Sequence, residues 1–325
     1  MLRLWIIALT VFVGFFSSAA CAAHKAFTDP AKAGLEYELQ GEYRGDLKLD
    51  DPASPVGAQV IALGGGTFQA VIYRGGLPGE GWKRGDKRER IDGKLDGKQA
   101  TFKGPNWSAT ADGRVMQFRS PDGKSLGTLQ HVERKSPTLG KKPPKDGIAI
   151  FGSGVAEEFP GAKVTEDGLL LAGATSKRTF GDFKLHLEFR TPFMPTARGQ
   201  GRGNSGAYLQ KRYEVQVLDS FGLEGENNEC GGIYKMRAPA VNMCYPPLVW
   251  QTYDIDFKAA HFDGEQKTRS ARATIEHNGV RVYDDVELTD ATPGGEKNEY
   301  PGKGPLYLQD HGNPVVFRNI WIVPK

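Results

Sequence analysis

Phe183-Lys184-Leu185-His186-Leu187-Glu188-Phe189-Arg190 sets an apolar side chain at every odd position and a polar one at every even position. In an extended chain successive side chains point to opposite faces, so this octet predicts a strand with one face in a core and the other polar. The same period recurs in Tyr213-Glu214-Val215-Gln216-Val217 and Tyr253-Asp254-Ile255-Asp256-Phe257. Ala273-Thr274-Ile275-Glu276-His277 and Val280-Arg281-Val282-Tyr283 flank Asn278-Gly279, the strongest short signal for a hairpin. Leu306-Tyr307-Leu308-Gln309 leads into Asp310-His311-Gly312, and Val315-Val316-Phe317-Arg318-Asn319-Ile320-Trp321 closes the chain. One-sided strands joined by Gly, Pro and Asn turns predict an antiparallel sandwich.

Working outward, the 325 residues suggest two domains of ordinary size. Forty-two glycines and 20 prolines favour short strands and tight turns over long helices, so the expected fold class is all-β. Lys and Arg number 42 against 39 Asp and Glu, a net charge of +3 with no basic stripe. That balance argues against a nucleic-acid partner. Residues 27–133 contain Gln59-Val60-Ile61-Ala62-Leu63 and residues 67–73, strand-like runs joined across Gly64-Gly65-Gly66. Asp-Gly pairs follow at 92–93, 96–97, 112–113 and 122–123, each suited to a tight turn. This region is expected to be a small β-rich domain, a meander without a chemical motif. The stretch 134–147, RKSPTLGKKPPKDG, has no periodicity and is expected to link it to the sandwich at 148–325.

Residues 1–23 have the pattern of a secretion signal. Arg3 precedes an apolar run at 4–16 that is short for a bilayer span, and Ala20-Cys21-Ala22 fits a small-residue cleavage site. Export to the periplasm or outside is therefore expected, with no stable membrane span in the mature form. A retained membrane anchor and lipidation at Cys21 are the alternatives. Removal of the signal leaves Cys230 and Cys244. An isolated pair in an oxidising compartment usually bonds, which would stabilise by roughly 3 kcal/mol; two buried free thiols are the alternative.

The richest polar segment is Asn204-Ser205-Gly206-Ala207-Tyr208-Leu209-Gln210-Lys211-Arg212-Tyr213-Glu214-Val215-Gln216-Val217-Leu218-Asp219. A turn near Lys211-Arg212 would put Tyr208, Gln210, Glu214 and Gln216 on one face. Such side chains hydrogen-bond sugar hydroxyls, and a Tyr ring can cover a sugar face, so carbohydrate is the expected partner. A solvated outer face is the alternative for any one strand. Glu214 and Asp219 also raise the possibility of an ordinary two-carboxylate glycosidase. His311, in a Gly- and Pro-containing loop past a strand end, is a candidate base or metal ligand.

Residues 183–190, Asn204-Ser205-Gly206, Tyr213 to Ser220 (YEVQVLDS), Gly232-Ile233-Tyr234, Trp250-Gln251-Thr252-Tyr253-Asp254, His277-Asn278-Gly279, Leu308 to Gly312 and Val316-Phe317-Arg318-Asn319-Ile320 resemble, in order, the 3-keto-disaccharide hydrolase domain. The resemblance covers about residues 148–325. It implies a concanavalin-like jelly roll acting on glycosides oxidised at C3. A C3 ketone acidifies the C2 proton, so a base can start a β-elimination that expels the C1 substituent, and water addition completes net hydrolysis. Such a site needs a base, a stabiliser for the enediolate and a donor for the leaving oxygen. The resemblance implies Glu214 and His311 as catalytic groups or as ligands of a divalent metal ion. It leaves Asn204, Gln216 and Arg318 to position the sugar, joined by Tyr208, Gln210 and Gln309 from the polar face. A non-catalytic carbohydrate-binding module with the same face is the competing reading.

Overall fold

The structure, a computed structural model, describes residues 24–49, 52–152 and 156–325. The signal-like segment 1–23 lies outside them. Almost every described element is a strand. The helical exceptions are one turn at Leu35–Leu39 and short 3-10 turns at Pro30–Lys32 and Gly199–Gly201.

Eight antiparallel strands between Gly41 and Val132 close into a barrel. Sequential strands are neighbours, and Gly41–Leu47 pairs with both Ser54–Gly64 and Ser125–Val132 to complete the ring. Closure leaves no free sheet edge. Tyr43, Val60, Phe68, Ile72, Phe102, Phe118 and Leu129 are buried in its core, so the barrel is filled and not a channel. Three of the four Asp-Gly pairs fall in turns between strands. The fourth, Asp92-Gly93, sits inside the strand Arg88–Asp96. Gly93 is required there for space, since a Cβ would run into the Phe102 ring on the neighbouring strand.

The C-terminal part is the expected sandwich. One sheet holds Ile148–Phe151, Val316–Pro324, Phe183–Arg190, Gln251–Lys258, Ala271–His277 and Val280–Leu288 in that order, with Leu170–Leu171 also on Val316–Pro324. The facing sheet runs Ala174–Phe180, Gly304–Leu308, Ser205–Leu209, Tyr213–Val217. Leu185, Leu187, Phe189, Ile255 and Phe257 from the first meet Ala207, Leu209, Val215, Val217, Leu306 and Leu308 from the second in one buried cluster. The odd positions of the alternating runs thus supply the shared core.

The outer, polar faces have different fates. On the larger sheet, His186, Glu188, Thr252 and Asp254 do not face solvent. The connecting stretch after the barrel lies across them. Ser136 Oγ meets Thr252 Oγ1 at 2.6 Å, Thr138 Oγ1 donates to Asp254 Oδ2 at 2.6 Å, and the Gly140 amide donates to Glu188 Oε1 at 2.5 Å. Asn319 and Trp321 donate to the Lys141 carbonyl at 3.1 and 2.9 Å. His186 is held by Asp254 at 2.9 Å and stacks on Trp321. The Pro-rich stretch is therefore a fitted cover, and that face is not open to a ligand. The stretch begins at Arg134, whose guanidinium makes two hydrogen bonds of 2.6 and 2.7 Å to the barrel residue Glu42. Arg84 reaches across to the carbonyls of Gly225 and Pro239, and Arg90 to that of Gly222, which ties barrel to sandwich.

Cys230 and Cys244 correct the expected disulfide. Both are buried free thiols in the sandwich core. Cys230 Sγ contacts the Tyr253 hydroxyl at 3.3 Å, and Cys244 donates to the Leu218 carbonyl at 3.4 Å. Burial pushes the Cys244 thiol well up, so it is inert as a nucleophile.

Candidate functional site

The smaller sheet's outer face carries the site. The strands Ser205–Leu209 and Tyr213–Val217 pair so that Tyr208 lies opposite Glu214 and Gly206 opposite Gln216. Alternation then sends Glu214 and Gln216 outward together. Gly206 matters by its lack of a side chain: a Cβ there would collide with the Glu214 carboxyl. Loops roof the face. Tyr234 and Gly232 bond along the free edge of the Glu214 strand, at 3.1 Å (Tyr234 N to Glu214 O) and 2.9 Å (Gln216 N to Gly232 O), and the Glu214 amide donates to Thr292 Oγ1 at 2.8 Å. The result is a pocket of about 210 Å³ lined by Gln200, Asn204, Glu214, Gln216, Tyr234, Lys235, Pro293, Gly294, Gln309 and His311. A larger hollow of about 370 Å³ lies at the barrel end beside His131, but its Glu42 carboxylate is spent on Arg134.

The roof leaves Glu214 only 2 % exposed. Lost hydration disfavours the carboxylate, and although the Tyr208 hydroxyl opposes the shift, the pKa is pushed up to about 8. Hydrogen-bond counting leads to the same state. The Tyr208 hydroxyl lies 2.7 Å from Glu214 Oε2, 2.7 Å from the Pro293 carbonyl and 3.1 Å from Gln309 Nε2, which donates to it. Tyr208 has one proton, and Pro293 O can only accept. All three contacts are satisfied when Glu214 carries a proton and gives it to Tyr208 while Tyr208 donates to Pro293. The amide of Gln216 suits its surroundings with the nitrogen toward Ser205 O and Glu214 Oε1, at 2.9 and 2.7 Å. Burial and hydrogen-bond counting thus both favour the protonated form of Glu214.

His311 sits on the exposed loop at the rim and makes no side-chain hydrogen bond or ion pair with a described residue. Asn204 is anchored by its Nδ2 to the Gln200 carbonyl at 2.8 Å, and its backbone amide donates to Asn313 Oδ1 at 2.8 Å. Its own Oδ1 is buried without a partner, an acceptor left for an incoming hydroxyl.

The sequence-derived candidates therefore divide. The structure brings Asn204, Glu214, Gln216, Gln309 and His311 together. Tyr208 lies behind Glu214, fully buried, and touches the carboxyl and not the pocket space. Gln210 is not on the face: it occupies the hairpin turn at φ +53° and donates to the Phe180 carbonyl at 2.7 Å. Arg318 belongs to the other sheet, where it pairs with Glu188 at 2.7 Å and stacks on Trp250. Asp219 is held by Arg202 at 2.6 Å and buried, so a second free carboxylate is missing from the pocket's lining. Gln200 and Lys235 carry no signal in the sequence, and Tyr234 enters only within Gly232-Ile233-Tyr234; all three lie outside the strands, where periodicity gives no guide.

A divalent ion would find here one imidazole and one carboxyl whose two oxygens are already engaged. Among the described residues no group of three or more His, Cys, Asp or Glu converges to hold a metal. The protein's own donors do not fit a resident metal.

The sequence model of the 3-keto-alpha-glucoside-1,2-lyase-like domain matches residues 80–323, starting inside the barrel and spanning the sandwich. A solved structure of a "putative glycosyl hydrolase" from Parabacteroides distasonis ATCC 8503 is 31% identical, with a TM-score of 0.51, over 56% of this chain and 85% of that one. Two more structures of that name and organism align at 18% and 22% identity. They cover 58% and 55% of this chain and 92% and 99% of theirs, with TM-scores of 0.36 and 0.39. No curated protein matches the chain. Among the described residues no helix is long and apolar enough to cross a membrane.

Proposed function

The chain belongs to the 3-keto-alpha-glucoside-1,2-lyase-like domain family, a carbohydrate-active one, and on that premise we propose that it cleaves 3-keto-glucosides by elimination across C1 and C2. The observation that carries the reading is the convergence of Glu214 and His311, far apart in sequence, on one small polar pocket.

The roles follow from their surroundings. His311, exposed and without a side-chain partner among the described residues, takes the C2 proton; imidazole is the side chain suited to that task near neutral pH. The C2–H pair moves into a C2=C3 double bond as the ketone oxygen becomes an oxyanion. That charge then re-forms the C3 ketone, the pair shifts to C1=C2, and the C1–O bond breaks. Glu214, held protonated, turns its proton from Tyr208 to the leaving oxygen as the sugar occupies the pocket. Water addition reverses the roles: Glu214 takes a proton from water as its oxygen joins C1, and His311 returns a proton to C2. Both groups are reset and the sum is hydrolysis. Asn204 Oδ1 is placed to accept from a sugar hydroxyl.

The test is a pair of substrates, a methyl α-glucoside and its 3-keto form. Turnover of the keto form alone is expected. Binding of the sugars with no turnover of either would favour a carbohydrate-binding module, and equal turnover of both would favour an ordinary glycosidase.

A further inference from the structure

Elimination through an enolate is helped by a donor or a positive charge near the C3 oxygen, and neither Glu214 nor His311 fills that role. Three side chains with ionisable groups other than phenols line the pocket: Glu214, His311 and Lys235. Glu214 serves as the acid and His311 as the base. Lys235 is the one Lys or Arg among the described residues of the lining.

Its placement is not incidental. Lys235 has φ +56°, a left-handed conformation that crowds the Cβ of a side-chain-bearing residue. The turn enforces it. The Lys235 amide donates to Asn227 O at 3.0 Å, the Met236 amide to Ile233 O at 2.8 Å, and Tyr234 is fixed to the Glu214 strand. Such outliers persist where the surroundings over-determine them, and they cluster at active sites. Lys235 also forms no ion pair with a described residue. Its ammonium lies over the Tyr234 ring, 5.6 Å from the centroid, and its three donors are not spent on a carboxylate.

We propose that Lys235 is the oxyanion-stabilising catalytic residue, its ammonium donating to the C3 oxygen of the sugar as that oxygen gains charge; this rests on the elimination reading above. The group binds the neutral ketone weakly and the oxyanion strongly, so its contribution falls on the chemical step.

The test uses the whole chain, methyl 3-keto-α-glucoside as probe, and Lys235→Met, Lys235→Arg and Lys235→Gly. Two rates are read, cleavage and exchange of the C2 proton in D2O. Lys235→Met is expected to lower both together by about 10²–10³-fold, with KM changed by no more than about threefold. Lys235→Arg, which keeps the charge, is expected to recover much of the loss. Lys235→Gly separates chemistry from folding: glycine suits the positive φ, so this variant should melt no lower than the parent and yet be as slow as Lys235→Met. Exchange at the parent rate in Lys235→Met, or a rise in KM with kcat unchanged, would overturn the assignment and leave the elimination reading standing. Activity abolished by a chelator and restored by a divalent ion would move the charge from Lys235 to the ion and also overturn it. A parent protein that leaves the probe intact overturns both readings.

Discussion

Replacing His311 with alanine is expected to lower the rate of 3-keto-α-glucoside cleavage by about 10²–10⁴-fold, the usual cost of losing a general base, with no measurable loss of stability. The second half of that expectation comes from the structure. His311 is exposed and makes no side-chain hydrogen bond with a described residue, and surface substitutions of that kind usually lie within about 0.5 kcal/mol. The loop does not depend on it either. Gly312 is held by Asp310 Oδ1 at 2.8 Å, and the Asn313 side chain is fixed by the Asn204 amide. Paired kinetics and thermal melts check the claim. A near-parent rate would remove His311 from the mechanism, and a large drop in melting temperature would show that it holds the loop.

Glu214→Gln is expected to lose activity and gain stability. Its folded pKa of about 8 lies above the unfolded carboxyl value of 4.5. Below pH 4.5 both states carry the proton and the group contributes nothing. Between pH 4.5 and 8 the unfolded chain ionises while the folded one keeps its proton, so folding is progressively disfavoured as pH rises, and above pH 8 the penalty is complete. At about 1.4 kcal/mol per pKa unit the full penalty is on the order of 3–5 kcal/mol. Gln is neutral at every pH and nearly isosteric. Its oxygen can accept from Gln216 and its NH2 can donate to Tyr208, which repeats the hydrogen bonds of the protonated acid. Denaturation from pH 4 to 9 should show parent and variant alike at pH 4 and the variant clearly more stable at pH 8.5. In the parent, cleavage should fall as pH rises through about 8, where the donor is lost. A variant less stable than the parent at pH 8.5 would contradict the buried, protonated state of Glu214.

This trade shows how much of the site is written in local sequence. The alternation of residues 213–217 fixed which side of the strand Glu214 occupies, and Asn278-Gly279 marked the hairpin between Ala271–His277 and Val280–Leu288, with φ of +52° and +76°. These are short-range facts. Burial of Glu214 was not legible, because it arises from loops distant in sequence, around Gly232-Tyr234 and Thr292, that pack on the strand. For the same reason His186, Glu188 and Asp254 looked like an open polar face, although residues 136–141 cover them. Gln210 followed the two-residue period on paper but fell in the turn, where Lys211 also takes a positive φ of +59° with no glycine to announce it. Arg318 was assigned through its neighbours in sequence, yet its strand lies in the opposite sheet. Lys235 had no periodic signal; its left-handed turn became visible only as geometry.

In the proposed reaction cleavage begins with removal of the C2 proton of a 3-keto sugar. The most direct measurement compares methyl 3-keto-α-glucoside carrying hydrogen or deuterium at C2, with methanol release followed in each case. A primary isotope effect on cleavage, loss of the C2 label to solvent in the product, and no reaction with the parent glucoside are expected. Methanol release at equal rates with the C2 label fully retained would contradict the proposed reaction.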